Sequence, residues 1–439
     1  MTVAEVRLWG RTIGAVSWDA DRDVAFFEYD PAFRGSGIQL APLTMPLSSE
    51  IYAFPELPRE TFYGLPGLLA DSLPDRFGNA LIDAWLAAEG RSGGSLNAVE
   101  RLCYTGHRGM GALEFEPVEG PSHRGSRSID VAALVSLASE ILSQREGLAV
   151  SFDGAGRSRA LADILRVGTS AGGARAKAVI AWNPDTEEVR SGQVEAGDGF
   201  SAWILKFDGV AGNRDKELDD AQGYGLIEYA YHKMAVAAGI EMSECRILQE
   251  GGRHHFMTKR FDRGAAGEKI HMQTLGAMAH YDFNHVGAHA YEQALQVMQR
   301  LALPMRSKEQ QFRRMVFNVV ARNQDDHVKN IAYLMDRAGS WSLAPAYDVM
   351  YSYNPDGHWT GQHQMSLNGK RDRFEVDDFV ACAKTASLKR GRARAILDEV
   401  REVVRGWPRF AEQAGVPPRR AQQIAATHRV ELDARGLLG

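Results

Sequence analysis

The sequence predicts an α+β protein in three parts: a small mixed α/β N-terminal subdomain, a β-rich lobe and an all-helical lobe. Three observations lead there. Residues 1 to about 50 alternate short apolar runs with turn formers, the stretch from about 126 to 262 carries further strand-like runs broken by Gly and Asn-Pro turns, and beyond that apolar residues recur at helical spacing. The expected domains are therefore 1–125, 126–262 and 263–439.

Composition sets bounds before any motif is read. A chain of 439 residues with 44% hydrophobic content has the material for several cores. Its formal charge of −5 provides no global basic field to recruit nucleic acid or an anionic membrane, so any DNA contact is expected to be indirect, through a partner. Cys103, Cys245 and Cys382 are widely separated, which supports neither a disulfide framework nor a thiolate metal site and fits a reducing cytoplasm. The N-terminus has no basic flank before an apolar core, and no apolar run approaches the ~18 residues that span a bilayer. The expectation is a cytoplasmic protein without membrane contact.

In chain order, VRLWG, TIGAVSW, VAFFEYD and RGSGIQL read as a small antiparallel sheet, and Leu81, Trp85 and Leu86 then share a helical face that Gly90 can end. Asp71 and Asp75, around Pro74, read as helix caps rather than as catalytic groups. The Gly/Ser/Arg-rich stretch 119–128 reads as a linker, followed by an amphipathic helix through Leu134, Leu137, Ala138 and Ile141. The loop VGTSAGGAR comes next. Its Gly172 and Gly173 allow consecutive N–H groups to face phosphate oxygens, although most Gly pairs before a strand simply turn the chain. NPDT makes a hairpin, SAWILKF a strand ending near Lys206, and GYGLIEYAYHKMAVAAG a helix carrying Glu228. A second hairpin turning at Gly251 and Gly252 leads to Lys259 and Phe261, and five helical segments follow, from AYEQALQVMQRLAL to RRAQQIAATHRVELDARG.

Within that helical part, Asp325 is followed five residues later by Asn330, and Asp348 comes after an intervening apolar segment. A protein kinase places its catalytic base and two metal ligands with this spacing, because phosphoryl transfer needs a base beside the acceptor hydroxyl and ligands for magnesium on the phosphates. Lys206 then stands where a strand lysine reaches the nucleotide phosphates, and Glu228 where a helix carboxylate holds that lysine. Each residue has a plainer reading. Lys206 can be an outward strand lysine, Glu228 a solvated helix residue, Asp325 and Asp326 caps or exposed side chains, and His327 a loop hydrogen-bonding group rather than one that orients Asp325 or meets phosphate. Their joint occurrence in kinase order favours a bilobal, protein-kinase-like body. His254, His255 and His271 lack ligand-spaced cysteines and are not read as a zinc site.

NQDDHVKN, PAYD, SAGGARAK, ILK and TKRFDR together resemble the HipA family of bacterial serine/threonine kinases, the toxin components of HipA/HipB-type modules, and RLWGRTIGAVSW and LLADSLPDRFG extend the likeness over nearly the whole chain. The resemblance implies ATP and Mg2+ as cofactors, Asp325 as catalytic residue, Asn330 and Asp348 as metal ligands, and Lys206 on the nucleotide. It further implies that Ser170, Gly172, Gly173, Ala174 and Lys177 form the phosphate-facing loop, that Lys259 to Phe261 lie at the adenine hinge, and that autophosphorylation of Ser170 switches the enzyme off. The implied partners are a HipB-type helix-turn-helix antitoxin and a protein substrate, an aminoacyl-tRNA synthetase being one candidate. A role mainly as a binding subunit of a repressor complex on operator DNA is the alternative. The sequence departs from the family pattern at Asp326, where Gly is common, at the Gly172–Gly173 pair and at Arg175. The extra carboxylate at Asp326 is expected either to strengthen metal binding or to repel phosphate.

Overall fold

The computed structural model describes residues 2–88, 90–119, 128–143, 164, 175–193, 196–210, 223–265 and 267–431. The chain divides into two compact units. Unit 1 comprises Met1–Gln222, Arg246–Gln273 and Met335–Ser340, and unit 2 comprises Gly223–Cys245, Thr274–Leu334 and Trp341–Gly439.

Unit 1 holds two five-stranded sheets. In the first, Thr2–Leu8 lies between Arg11–Asp19 and Leu113–Glu116, all antiparallel, and Val24–Tyr29 and Ile51–Tyr52 extend the far edge. The expected strand in RGSGIQL is absent, and the edge strands Ile51–Tyr52 and Leu113–Glu116 are too short to reveal a period of two. In the second sheet Lys177–Trp182 lies between Val189–Ser191 and Ser201–Lys206, and Arg253–Lys259 and Cys245–Glu250 follow. The Asn183 side chain accepts from the N–H of Asp185 at 2.9 Å, which fixes the first hairpin turn as an Asx turn. Two helices cover this sheet. Phe77 and Leu81 of Arg76–Ala88, and Leu134, Val135 and Ala138 of Val131–Ser143, bury themselves against Ala178, Ile180, Trp203, Leu205 and Met257. Such large apolar side chains contribute about 1.5–3 kcal/mol each on full burial, so the sheet's position relative to the helix Arg76–Ala88 is firmly set.

Unit 2 is built on the helix Met305–Val320, whose Phe312, Met315, Val316, Phe317, Val319 and Val320 are all buried. Tyr231 of Tyr224–Ala237 packs edge-on against Phe317 and Trp407 and donates its hydroxyl to the carbonyl of Ala321 at 2.6 Å. The helices Tyr291–Arg300, Val376–Thr385, Arg392–Arg405, Trp407–Ala414 and Pro418–Ala425 complete it. The unit is not all-helical as expected. Strands Ala332–Met335 and Trp341–Leu343 pair next to one another, and His289–Ala290 runs parallel to Met365–Ser366. Strands of two to four residues carry no legible alternation, which is why helical periodicity dominated the reading of this half. The last expected helix also stops early, at Ala425. Among the described residues no helix is long and apolar enough to cross a membrane.

Candidate active site

The residues singled out from the sequence fall into two groups, one in each unit. In unit 1, Lys177 and Lys206 are direct cross-strand partners at adjacent strand ends, so their side chains leave the same face of the sheet. Both are nearly buried, at 5% and 7% exposure. The Lys206 ammonium lies 5.6 Å from the centre of the Phe256 ring, and the Lys177 ammonium lies 3.7 Å from an oxygen of Asp75. Asp75 also accepts from the N–H of Gly78 at 2.7 Å, at the start of the helix Arg76–Ala88. Its capping role is as expected from the sequence, but its second oxygen serves the lysine. Two lysines leaving one face at a sheet end are of the residue type that holds phosphate oxygens, and Asp75 lies beside one of them. Ser170, Gly172, Gly173 and Ala174 lie outside the described residues.

The segment expected to border the adenine follows the strand Arg253–Lys259. Lys259 is exposed and Phe261 is half-buried. The fully buried Asp262 receives the side chains of Arg260 at 2.6 Å and Arg263 at 2.9 Å, and the N–H of Gly111 at 2.7 Å. Burial works to raise its pKa, but the two guanidinium groups and the N–H outweigh it and hold the carboxyl at about 2. Gly111 has φ +72°, and a Cβ there would meet the nitrogen of Met272 at 2.9 Å, so the close approach requires glycine.

In unit 2 the loop after the helix Met305–Val320 carries Asp325, Asp326, His327 and Asn330. Asn330 donates its Nδ2 to the main-chain carbonyl of Asp325 at 2.8 Å, which leaves Oδ1, the metal-ligating type of atom, on the other side of the amide. Asp325 keeps 35% of its side chain exposed and accepts from Trp359 Nε1 at 2.6 Å. His327 Nε2 is 3.7 Å from Asp325 Oδ1, too far for a hydrogen bond, and its ring tilts between Phe283 and Trp359. Tyr347 donates its hydroxyl to the carbonyl of Lys329 at 2.5 Å, which ties the segment bearing Asp348 to the loop bearing Asn330. Asp348 has φ +53°, a conformation that costs a non-glycine residue of order 1 kcal/mol or more. Among the described residues no group of three or more His, Cys, Asp or Glu side chains forms a metal cage. Magnesium in a phosphoryl-transfer site does not require one, since one or two protein oxygens with phosphates and waters suffice. Glu228 is buried in the helix Tyr224–Ala237 and belongs to a different unit from Lys206.

Asp326 behaves differently from its neighbour. It is fully buried and accepts from Tyr291 Oη at 2.5 Å, His363 Nδ1 at 2.7 Å and the N–H of Gln364 at 2.8 Å. Burial works to raise its pKa, but His363 and these donors outweigh it and hold the carboxyl below the usual range. His363 Nε2 lies 2.8 Å from the Arg429 guanidinium, which has no lone pair to offer, so Nε2 must be the acceptor and Nδ1 carries the proton. Arg429 in turn pairs with Asp372 and donates its own N–H to the carbonyl of Val320 at 2.8 Å. Neither expected role for Asp326 is met: its oxygens are taken up by an internal network that anchors the loop. Sequence reasoning missed His363, Gln364 and Arg429 because each looks like an ordinary polar residue in a turn or tail. Asp326→Asn is expected to lower stability by about 2 kcal/mol, because a charged acceptor of several hydrogen bonds is replaced by an amide that cannot accept them all. Urea unfolding checks this, and an unchanged midpoint would contradict it.

Residues 4–116 match the family model described as the HipA N-terminal domain, and residues 169–427 match the HipA-like C-terminal domain. A chain from the Shewanella oneidensis MR-1 toxin–antitoxin complex of HipA, HipB and its operator DNA is similar at a TM-score of 0.63 and 17% identity, covering 96% of this chain and 96% of that one. The Helicobacter pylori proinflammatory kinase CtkA matches at a TM-score of 0.32 and 11% identity, over 51% of this chain and 92% of its own. No curated protein matches the chain. The first structural likeness is one of fold, a mixed α/β architecture with several sheets and many helices. With one model over residues 4–116 and another over residues 169–427, more than half of the chain, the chain belongs to the HipA family.

Proposed function

We propose that this protein is an ATP-dependent, magnesium-assisted serine/threonine protein kinase of the HipA toxin type, with a bilobal kinase-like body. The observation that carries the reading is the loop in which Asn330 is hydrogen-bonded to the backbone of Asp325, with Asp348 held in a left-handed conformation on the segment tied to it. In this reading Asp325 accepts the proton of a protein hydroxyl, Asn330 Oδ1 and Asp348 ligate magnesium, and Lys177 and Lys206 hold phosphate oxygens. Bound ATP supplies the transferable γ-phosphoryl group. Glu228 is assigned the family's helix-carboxylate role, and Lys259 and Phe261 the border of the adenine. His327 is assigned no proton-transfer role, since it makes no hydrogen bond to Asp325.

Three finer assignments rest on family membership. They are a HipB-type antitoxin as partner, a protein acceptor such as an aminoacyl-tRNA synthetase, and inhibitory phosphorylation of Ser170. A second reading, that the protein acts mainly as a binding subunit with such an antitoxin on operator DNA, is favoured by the likeness to a chain solved in a complex of that kind. Both are tested by incubating the protein with γ-labelled ATP, magnesium and a bacterial lysate. The kinase reading expects label on protein and its loss with Lys206→Met. No label, together with a DNA shift seen only when the antitoxin is added, would leave the binding reading in its place.

A further inference from the structure

The hydrogen bond from Trp359 to Asp325 reaches beyond the assignment of the base itself. The indole N–H is a single donor with no acceptor, and its 2.6 Å contact to a carboxylate is short and charge-assisted. The segment that bears Trp359 is fixed to the residues on both sides of Asp325. Gln324 donates its Nε2 to the carbonyl of Thr360 at 3.0 Å, and the N–H of Gln364 donates to Asp326 Oδ1 at 2.8 Å. Gln364 also donates its side-chain amide to the carbonyl of Trp359, and the indole lies against the His327 ring at 6.2 Å between centroids. The carboxylate, by contrast, sits on an irregular loop and is one-third exposed, so nothing in its own backbone fixes its rotamer.

We infer that Trp359 is a positioning residue for phosphoryl transfer: it pins Oδ1 of Asp325 and leaves Oδ2 to receive the proton of the acceptor hydroxyl. The inference rests on the kinase reading above. In the step concerned the acceptor O–H bond breaks and its proton passes to Oδ2. The freed electron pair forms the new bond to the γ-phosphorus, and the bond from that phosphorus to its bridging oxygen breaks, with its pair leaving on ADP. A base free to rotate would present Oδ2 to the hydroxyl for only part of the time, so loss of the indole donor lowers the rate of transfer without touching nucleotide affinity.

The test uses the full-length protein with γ-labelled ATP, magnesium and a bacterial lysate, comparing wild type, Trp359→Phe, Asp325→Asn and the double variant. Trp359→Phe keeps an aromatic ring beside His327 and removes only the donor. Its labelling rate is expected to fall by about ten- to a hundredfold, while the half-saturating ATP concentration stays within about twofold of wild type. In the Asp325→Asn background the same change is expected to cost less than about twofold, because the group it acts through is already altered. An unchanged or faster rate in Trp359→Phe overturns the inference, the faster one by making the contact a block. Equal losses in both backgrounds, or a rise in half-saturating ATP that matches the loss of rate, also overturn it by reducing Trp359 to a packing residue. If Asp325→Asn labels as well as wild type, the kinase reading itself fails. An inactive Asp325→Asn beside a fully active Trp359→Phe removes the Trp359 inference alone.

Discussion

Asp325→Asn is expected to leave the protein folded and to reduce phosphoryl transfer by roughly a hundredfold or more. The two halves of that result have separate causes. The side chain is 35% exposed, and the contact it receives from Trp359 Nε1 can still be accepted by the amide oxygen of Asn. Asn330 donates to the main-chain carbonyl of residue 325, which the substitution does not change. The loop is therefore expected to hold its shape, and thermal unfolding to stay within about 2 °C of wild type, as for surface changes that break no buried network. What the amide cannot do is take a proton from a hydroxyl. Labelling of a specific lysate protein by both forms at equal rates would defeat the assignment, and a variant that fails to fold would show that the loop depends on the charge of Asp325 as well as on that of Asp326.

The contrast between these two adjacent carboxylates shows where the sequence was legible and where it was not. Asp325, Asn330 and Asp348 were grouped on the spacing that phosphoryl transfer would set along one loop and the segment after it, and the Tyr347 hydroxyl on the Lys329 carbonyl joins those two segments. Asp326 could not, because its partners His363 and Gln364 lie 37 and 38 residues on, and the next link, Arg429, lies a further 66 residues past His363. Nothing in local periodicity announces a carboxylate whose burial is made possible by residues from a distant turn and the C-terminal tail. Asp75 is a half-way case. Its capping of the helix Arg76–Ala88 is a local event and was readable, whereas its contact with Lys177 depends on how that helix packs on the second sheet. The same limit explains the short strands of unit 2, which are set by tertiary pairing and not by any alternation of their own.

Asp262→Ala is expected to destabilise unit 1 by about 3–5 kcal/mol, because it removes the shared partner of two guanidinium groups in a buried position. Arg260 and Arg263 both converge on this carboxylate, with side-chain exposures of 1% and 12%, and neither can escape by losing its proton at ordinary pH. The loss is large against a typical total of about 5–15 kcal/mol, so it should appear as a clear fall in the urea midpoint of the transition that reports on unit 1. The pH dependence follows from the same contacts. The folded carboxyl is held at about 2, below the ~3.9 of an unfolded Asp, so its contribution is fully present above about pH 4 and is lost as pH falls toward 2. Wild type should therefore lose stability more steeply than Asp262→Asn over that window, where the variant has no carboxyl left to protonate. Parallel curves for the two proteins, or an unchanged urea midpoint in Asp262→Ala, would show that the two arginines find other partners and that the Asp262 carboxylate is not what fixes this segment to the loop of residues 109–111.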